Sequence, residues 1–286
     1  MSISKYRRTL SIFYGIIFSG QYYISCIASH EKSLGLKQRE VIANMRRYDG
    51  FGAHMLEIIT AVIYAELHDR EFCYRPFDAM EHNYDNDPDF LAKKEKLLNF
   101  FDYFETFDEA VQKNYTIVSE FYVPFFDENV EKCANSRPLK KIKKIFRANK
   151  NTKNYFKNKN FNIAVHIRRP NPHDNRIYGT DIPDDFYAEI INKLRAKYSS
   201  RNPLFHIYSQ GDIENFDMYH APDVILHLNE SVEDTYLPLV LADVLVTGRS
   251  SFSYTAGYLS DGIVYYNSYM HAALPHWTPV EKLLAE

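Results

Sequence analysis

Short apolar runs and helical periodicities alternate along the N-terminal half of the chain. The run 39–45 predicts a strand, and a loop with two glycines follows it at 46–54. Apolar residues then recur every three or four positions over 55–67, which predicts a helix. The run 72–74 predicts a short strand, and the segment 91–107 predicts a second helix. This half therefore opens as strand, glycine loop, helix and strand.

The alternation is more regular beyond residue 160. Apolar runs without internal polar alternation predict buried strands at 161–167, 204–208, 224–228, 244–246 and 263–266. Helical periodicities between them predict helices at 183–198, 231–241 and 252–259. Strands of this kind that alternate with helices form parallel sheets covered on both faces, so we predict an α/β fold. In such sheets ligands bind beyond the carboxyl ends of the strands, and the residues that follow each strand are the candidates for a site.

A basic segment separates the two halves. The stretch 138–150 carries six lysines and arginines beside an apolar stripe, and 149–160 is rich in Asn and Lys. This composition is typical of a solvated helix that leads into a linker, although a patch facing phosphate or a membrane surface has a similar one. We therefore predict a domain boundary near residue 150, with an N-terminal domain at 1–150 and a C-terminal domain at 151–286.

Composition and charge exclude several classes of protein. Hydrophobic residues make up 45% of the 286 residues and charged residues 25%, which is typical of a globular protein and not of a disordered one. The net charge of -3 argues against a protein that binds nucleic acid through bulk positive charge. The three cysteines are far apart, which predicts neither a zinc site nor a disulfide framework and favours a reducing compartment.

The N-terminus leaves two interpretations open. Basic residues precede an apolar stretch at 10–28, an order typical of a signal-anchor, and its length just reaches the ~17–25 residues that a membrane helix needs. Polar interruptions fit a buried strand equally well. We favour a cytoplasmic protein, and a membrane anchor in the secretory pathway is the alternative. The high Asn, Lys and Tyr content indicates an AT-rich genome, such as that of a virus or a protist. If the protein is viral, it would lie in the host cytoplasm.

The first candidate site follows the strand at 161–167. It contains His166, Arg168 and Arg169. Two adjacent guanidinium groups are costly to bury unpaired, and arginine presents a planar fork that suits a phosphate or a carboxylate. His166 and Arg168 share one face of the strand and Arg169 points to the other. An anion-binding site and a pair of structural ion pairs fit this pattern equally well.

Two further turns have the composition of phosphate-binding loops. The segment 247–253 follows a strand and opens a helix, where backbone N–H groups and small hydroxyls can cradle a phosphate, although serine also caps many helices. In the segment 49–54, Gly50 and Gly52 allow a ligand to approach the backbone closely, and a tight strand–helix turn is the equal alternative. The segment 49–54 matches neither a dinucleotide fingerprint nor a P-loop.

Together these segments resemble the fucosyltransferase superfamily, which includes the α1,2-, the α1,6- and the protein O-fucosyltransferases. The segment 166–169 matches the family's His-x-Arg-Arg strand end, and 50–54 is similar to its Gly-x-Gly loop. The segment 208–212 is similar to its strand-end Ser-Asp-Asp, and 250–254 to its late Ser-Ser-Phe-Ser motif. The resemblance covers roughly residues 39–266 in the expected order.

The resemblance implies a GT-B-like fold, in which two Rossmann-like lobes, an acceptor-side one and a nucleotide-sugar-binding one, enclose a cleft. It implies inverting, metal-independent transfer of a sugar from a nucleotide sugar to a glycan or glycoprotein acceptor. We expect Arg168 to stabilise the leaving diphosphate and Asp49 to act as the base. The residues expected to bind the nucleotide sugar are His166, Arg169, Gly50, Phe51, Gly52, His54, Asp212, Asp234, Ser250, Ser251 and Phe252.

Two alternatives to fucose transfer stay open. GDP-fucose is the favoured donor, and UDP-xylose is the alternative on the same fold and mechanism. The two donors differ in the base pocket, because guanine presents N–H donors that favour a carboxylate such as Asp212 or Asp234. The second alternative is a non-catalytic protein that binds a sugar or a nucleotide. We expect no cofactor or metal beside the nucleotide sugar, no nucleic-acid partner, and no membrane association in the favoured interpretation.

Overall fold

The computed structural model describes residues 39–100, 102–148, 150, 152, 155–169 and 182–286. The apolar stretch 10–28, on which the membrane-anchor alternative depends, lies outside the described residues. Within the described ones, no helix has the length and apolar character needed to cross a membrane. In chain order the elements are β1 (Glu40–Ala43), α1 (Phe51–Leu67), β2 (Glu71–Tyr74), α2 (Phe90–Leu98), β3 (Glu105–Thr106), α3 (Phe107–Gln112), β4 (Thr116–Val118), α4 (Val123–Glu128), α5 (Val130–Ala134), α6 (Arg137–Arg147), β5 (Phe161–His166), α7 (Asp184–Lys197), β6 (Pro203–Ser209), β7 (Val224–Leu228), α8 (Val232–Leu241), β8 (Val244–Val246), α9 (Ser251–Leu259), β9 (Ile263–Tyr266), β10 (Thr278–Pro279) and α10 (Val280–Leu284), with short 3-10 helices at Ser199–Arg201 and Ile213–Tyr219.

The N-terminal half contains a parallel four-stranded sheet in the order β3-β2-β1-β4. From β1 the chain winds outward through β2 and β3 and then returns to pair β4 with the other side of β1. The direction of winding therefore reverses between β1 and β4. A reversal of this kind opens a crevice beyond the carboxyl ends of the two strands. The segment that follows β1 is the glycine loop.

The C-terminal half contains a parallel six-stranded sheet in the order β10-β9-β8-β5-β6-β7. The chain winds outward from β5 through β6 to β7 and returns on the other side of β5 at β8. The reversal lies between β5 and β8, and it brings the two turns that follow these strands side by side. The predicted α/β class with two parallel sheets is confirmed.

The largest of the three clusters of buried apolar residues in the described part of the chain joins the two sheets and contains most of α1. Of the 17 residues of α1, 13 are buried. A helix that is apolar on all sides belongs in the interior of a protein, because no face of it can be left to water. The core takes residues from both sheets, among them Ile42 of β1 and Tyr208 of β6. The described residues belong to one compact unit, with one sheet on either side of residue 150; the two functional domains stay a prediction.

Two segments between the sheets differ in how well they match the prediction. The helix expected at 91–107 is shorter, because Asn99 adopts a left-handed conformation (φ 62°) that ends α2, and β3 follows. The basic segment forms α6 as predicted. Lys143 donates a hydrogen bond to the carbonyl of Ser260 at 2.6 Å, and Arg147 pairs with Asp261 at 2.7 Å. These contacts fasten α6 to the end of α9.

Candidate functional site

A cleft of about 560 Å³ lies at the carboxyl ends of the strands of both sheets. Residues that follow β1, β5, β6, β7 and β8 line it, as the position of the two reversals requires. Most of the residues predicted for the site meet there, although they are up to 200 positions apart in the sequence. The predicted residues that line the cleft are Asp49, Gly50, Phe51, Gly52, His166, Arg168, Arg169, Ser250, Ser251 and Phe252.

The N-termini of α1 and α9 meet in the wall of the cleft. A methyl group added at Gly52 would lie only 2.3 Å from the backbone nitrogen of Phe252, so only glycine fits between these backbones. Ser250 caps α9 by accepting a hydrogen bond from the N–H of Phe252 at 3.3 Å. Each helix N-terminus carries a partial positive charge and unpaired N–H groups. Two such termini in contact produce a positive potential where an anion can bind.

The two adjacent arginines have different surroundings. Arg169 forms an ion pair with Asp184 at the start of α7, and its guanidinium lies 5.5 Å from the centre of the Phe216 ring. These contacts fasten α7 and the neighbouring 3-10 helix to the end of β5. Arg168 lies half-buried in the wall of the cleft, and its backbone nitrogen is close to Gly248 in the turn after β8. The ion pair with Asp184 bears out the structural interpretation for Arg169. Arg168 lines the cleft, and its binding of an anion stays a prediction.

His166 is held as a neutral side chain with a defined orientation. Burial, followed by the charge of Arg168, lowers the pKa of His166 to about 3. Its Nδ1 lies 2.9 Å from the hydroxyl of Ser253, which also accepts a hydrogen bond from the N–H of Gly248 at 3.0 Å. The hydroxyl of Ser253 can donate either to Nδ1 or, at 3.4 Å, to the carbonyl of Gly248, so these contacts fix the position of the ring and not which nitrogen carries its hydrogen. His166 thus presents a neutral imidazole in the wall of the cleft.

The predicted base, Asp49, belongs to a network of charged groups. Arg47 donates to Oδ2 of Asp49 at 2.9 Å and to Oε1 of Glu57 at 2.9 Å. The other oxygen of Asp49 accepts a hydrogen bond from the N–H of Gly50 at 2.8 Å, which fixes the carboxylate at the start of α1. Glu57 is buried, and burial raises its pKa to about 7 in spite of the nearby Arg47. The network places one carboxylate in the cleft wall and one in the core, with Arg47 between them.

Three predicted site residues are not among the residues that line the cleft, and their role in binding stays a prediction. His54 points into the core against Phe77, and burial lowers its pKa to about 4. Asp234 accepts a hydrogen bond from the hydroxyl of Ser231 at 2.8 Å and belongs to the cap of α8. Asp212 is exposed and precedes the 3-10 helix at Ile213–Tyr219. All three lie near strand ends or in loops, but the local fold directs their side chains away from the cleft.

Sequence reasoning missed other side chains of the cleft wall. Glu230 follows β7, Arg47 follows β1, and Tyr208 is the last residue but one of β6. All three lie at or just after the carboxyl end of a strand, so the rule that ligands bind beyond strand ends would have identified them. Glu230 lines the cleft together with the carboxylates of Asp49 and Glu81. In the described part of the chain, no group of three or more His, Cys, Asp or Glu is arranged to hold a metal ion.

The chain is similar to several solved structures of other proteins. No protein-family model and no curated protein sequence matches the chain. The α-1,6-fucosyltransferase NodZ, co-crystallised with GDP, is 14% identical, with a TM-score of 0.40 over 80% of this chain and 96% of that one. The structure of NodZ from Bradyrhizobium is 13% identical, with a TM-score of 0.39 over 79% and 94%. The E. coli heptosyltransferase WaaC with ADP is 10% identical, with a TM-score of 0.36 over 84% and 94%. Similarities of this size define neither a family nor a function.

Proposed function

We propose that the chain is an inverting glycosyltransferase that moves a sugar from a nucleotide sugar, with GDP-fucose favoured, to a glycan or glycoprotein acceptor. One observation carries the proposal. Two helix N-termini from different halves of the chain meet at Gly52, in a cleft that Arg168 and His166 also line. This concentration of donors and positive charge suits a diphosphate.

Arg168 and His166 would act on the leaving group. As the bond between the anomeric carbon and the β-phosphate oxygen breaks, its electron pair stays with the nucleoside diphosphate and negative charge grows there. A cation and N–H donors fixed in advance stabilise this transition state more than the ground state, which is the requirement for catalysis. A metal ion could supply the same stabilisation, and metal independence is part of the proposal.

Asp49 would act on the acceptor. It would accept the proton of an acceptor hydroxyl while that oxygen attacks the anomeric carbon on the face opposite the diphosphate, which inverts the configuration. Arg47 fixes the carboxylate but also stabilises its ionised form, which makes Asp49 a weaker base. The same guanidinium contacts Glu57, so catalysis by Asp49 would require Arg47 to shift from Asp49 toward Glu57.

A second candidate function is non-catalytic nucleotide-sugar binding, and the contact between Arg47 and Asp49 favours it. A carboxylate held in an ion pair is a weak base. In this case the cleft binds the donor and no transfer follows. The cationic wall around Arg168 serves both candidates equally, so binding alone does not separate them.

The two candidates are separated by binding and turnover measured on the full chain. GDP, UDP, GDP-fucose and UDP-xylose are compared in thermal-shift assays, in which a ligand at 100 times its Kd stabilises by ~2.7 kcal/mol. Release of free sugar from each donor is then followed by mass spectrometry. Arg168→Ala should abolish both signals, and Arg201→Ala, an exposed arginine outside the cleft, should abolish neither. Binding without sugar release supports the non-catalytic candidate, and a chain that binds none of the four ligands refutes both.

A further inference from the structure

A histidine and a carboxylate from different halves of the chain meet behind the wall of the cleft. Nδ1 of His271 lies 3.1 Å from Oδ2 of Asp127. His271 belongs to the loop that follows β9 and lines the cleft, whereas Asp127 belongs to α4. Neither residue was predicted from the sequence, and nothing in the proposed mechanism uses them.

The carboxylate determines which nitrogen of the imidazole faces it as a donor. Its other oxygen, Oδ1, accepts a hydrogen bond from the N–H of Ala272 at 3.1 Å, so the same loop holds both oxygens. Because carboxylate oxygens only accept, Nδ1 of His271 is the nitrogen that donates, whether the ring carries one hydrogen or two. When the ring carries one, the lone pair of Nε2 is left to accept a hydrogen from another group.

Nε2 of His271 is open to a ligand. It makes no hydrogen bond with any of the described residues, and it is not one of their buried polar atoms that lack a partner. Only 12% of the side chain is exposed, and the residue lines the cleft. The cleft is therefore where this nitrogen can meet a substrate.

Three tyrosines hold the loop of His271 in place. The hydroxyl of Tyr266 donates to the carbonyl of His271 at 2.6 Å and accepts from the N–H of Tyr269 at 2.9 Å. The hydroxyl of Tyr254 donates to the carbonyl of Ala272 at 2.6 Å, and its ring centre lies 5.3 Å from that of His271. Burial raises the pKa of Tyr254, so its hydroxyl keeps its hydrogen and does not compete as a base. An imidazole fixed in this way is oriented before any substrate binds, which favours catalysis.

His271 lies to one side of the expected phosphate site. Tyr254, which it contacts, is the fourth residue of α9 and so lies ~5 Å along the helix from the N-terminus where the diphosphate is expected. In the sheet, β9 is two strands away from β5, whose end carries Arg168. Inverting transfer needs its base on the face of the sugar opposite the leaving group. A base displaced from the phosphate site in this way meets that requirement.

We propose that His271 is the catalytic base that takes the proton of the acceptor hydroxyl while Arg47 stays on Asp49, and that Asp127 is the residue that positions its ring. The proposal rests on the proposed function for its substrates. The proton moves to Nε2 of His271, and the acceptor oxygen forms its bond to the anomeric carbon. The electron pair of the broken bond leaves with the nucleoside diphosphate. Asp127 stabilises the imidazolium, which returns its proton to water once the products have left.

The positioning role is tested without any ligand. In the full chain labelled with 15N-histidine, His271 is assigned by the loss of its signals in His271→Asn. At pH 8 the hydrogen should lie on Nδ1 and Nε2 should be bare. In Asp127→Asn the amide oxygen must still accept from the N–H of Ala272, so the amide nitrogen faces Nδ1 and the hydrogen should move to Nε2. Asp108→Asn, which changes an exposed carboxylate outside the cleft, should leave it on Nδ1. A hydrogen on Nε2 in the wild type overturns the positioning role.

The base is tested with His271→Asn. The amide nitrogen of asparagine takes the place of Nδ1, so the contact with Asp127 and the Tm should be kept, while no atom replaces Nε2. Release of free sugar from GDP-fucose or UDP-xylose, with water as the acceptor, should fall by about 10²–10⁴-fold, and the Kd for the donor should stay unchanged. His220→Asn, which changes an exposed histidine outside the cleft, should alter neither quantity.

The outcomes separate this base from a structural contact and from Asp49. Normal sugar release in His271→Asn, or a loss that is matched by losses of Tm and donor affinity, gives the pair a structural role and overturns the proposal. A rate that Asp49→Asn abolishes and His271→Asn keeps makes Asp49 the base and overturns it as well. If the wild type binds a donor and releases no sugar, the non-catalytic candidate holds and the base is refuted. If it binds no nucleotide, the proposed function fails and the base with it, while the signals of His271 still test the positioning role.

Discussion

Gly52 lies where the first turn of α1 meets the backbone of α9, and Gly52→Ala tests whether this contact builds the cleft. The added methyl group would lie 2.3 Å from the nitrogen of Phe252 and 2.5 Å from the carbonyl carbon of Ser251. Both atoms belong to the backbone, so no side chain can rotate away. The shorter distance is 1.1 Å below the 3.4 Å at which ordinary contact begins, and the two helix N-termini must separate by about that amount.

The expected magnitude follows from two opposing effects. Overpacking a tight contact costs ~1–3 kcal/mol, and a clash with rigid backbone belongs at the upper end of that range. Alanine favours a helix over glycine by ~1 kcal/mol. The net loss of unfolding free energy is therefore about 2 kcal/mol, which corresponds to a fall in Tm of about 4–8 °C. A displacement of about 1 Å at a site that positions a diphosphate reduces turnover by about 100-fold.

Gly50→Ala is the matched control for this substitution. Gly50 also lines the cleft, and its backbone (φ -72°, ψ 163°) suits alanine. A methyl group there would meet only the side chain of His82, at 3.0 Å, which can move. Tm, the Kd for GDP and the rate of sugar release are measured for both variants. If Gly52→Ala melts within 1 °C of the wild type and keeps its nucleotide affinity, or if both variants lose the same amount, the contact between helix termini does not build the site.

Three further predictions address charge and protonation. Arg168→Lys should lower kcat by ~10²–10³-fold, because an ammonium group lacks the bidentate fork. Arg169→Lys should mainly lower Tm, because it weakens the contact with Asp184. If instead Arg168→Lys lowers Tm and Arg169→Lys lowers kcat, Arg169 is the residue that acts on the diphosphate. Sugar release should persist in excess EDTA, and a complete loss that magnesium or manganese restores would contradict metal independence. Burial lowers the pKa of three histidines to about 4, 3 and 4, so the unfolded state binds more protons at these groups between pH 4 and 6.5, and each should raise the unfolding free energy with pH by up to ~1.4 kcal/mol per pH unit. These histidines are His54, His166 and His206. Burial also raises the pKa of Glu57 to about 7, which opposes this rise, so the net slope should be positive but smaller than the sum of the three. Denaturant titrations that show no slope would refute this.

The sequence determined the elements whose signals are local. Continuous apolar runs and the 3.6-residue period depend on neighbours a few positions away, so the strands at 161–167 and 204–208 and the helix at 55–67 were predicted within a few residues. Strand 116–118 was missed because it has three half-buried residues at the edge of its sheet and no pattern to detect. The helix expected at 91–107 was too long because a single left-handed Asn99, which the periodicity does not register, ends it.

Only the tertiary structure decided which strand ends meet. The sequence placed Arg168 and Arg169 on opposite faces of a strand, but only folding brought Asp184 to Arg169 and both arginines to the wall of one cleft. It offered Asp212 and Asp234 as carboxylates, whereas the return of β7 to the sheet edge presents Glu230. Strand order depends on contacts between residues far apart in the chain, and the entropy of closing those loops is compensated only when the whole core packs. The location of a site built from five strand ends is therefore a property of the packed sheets and not of any one segment.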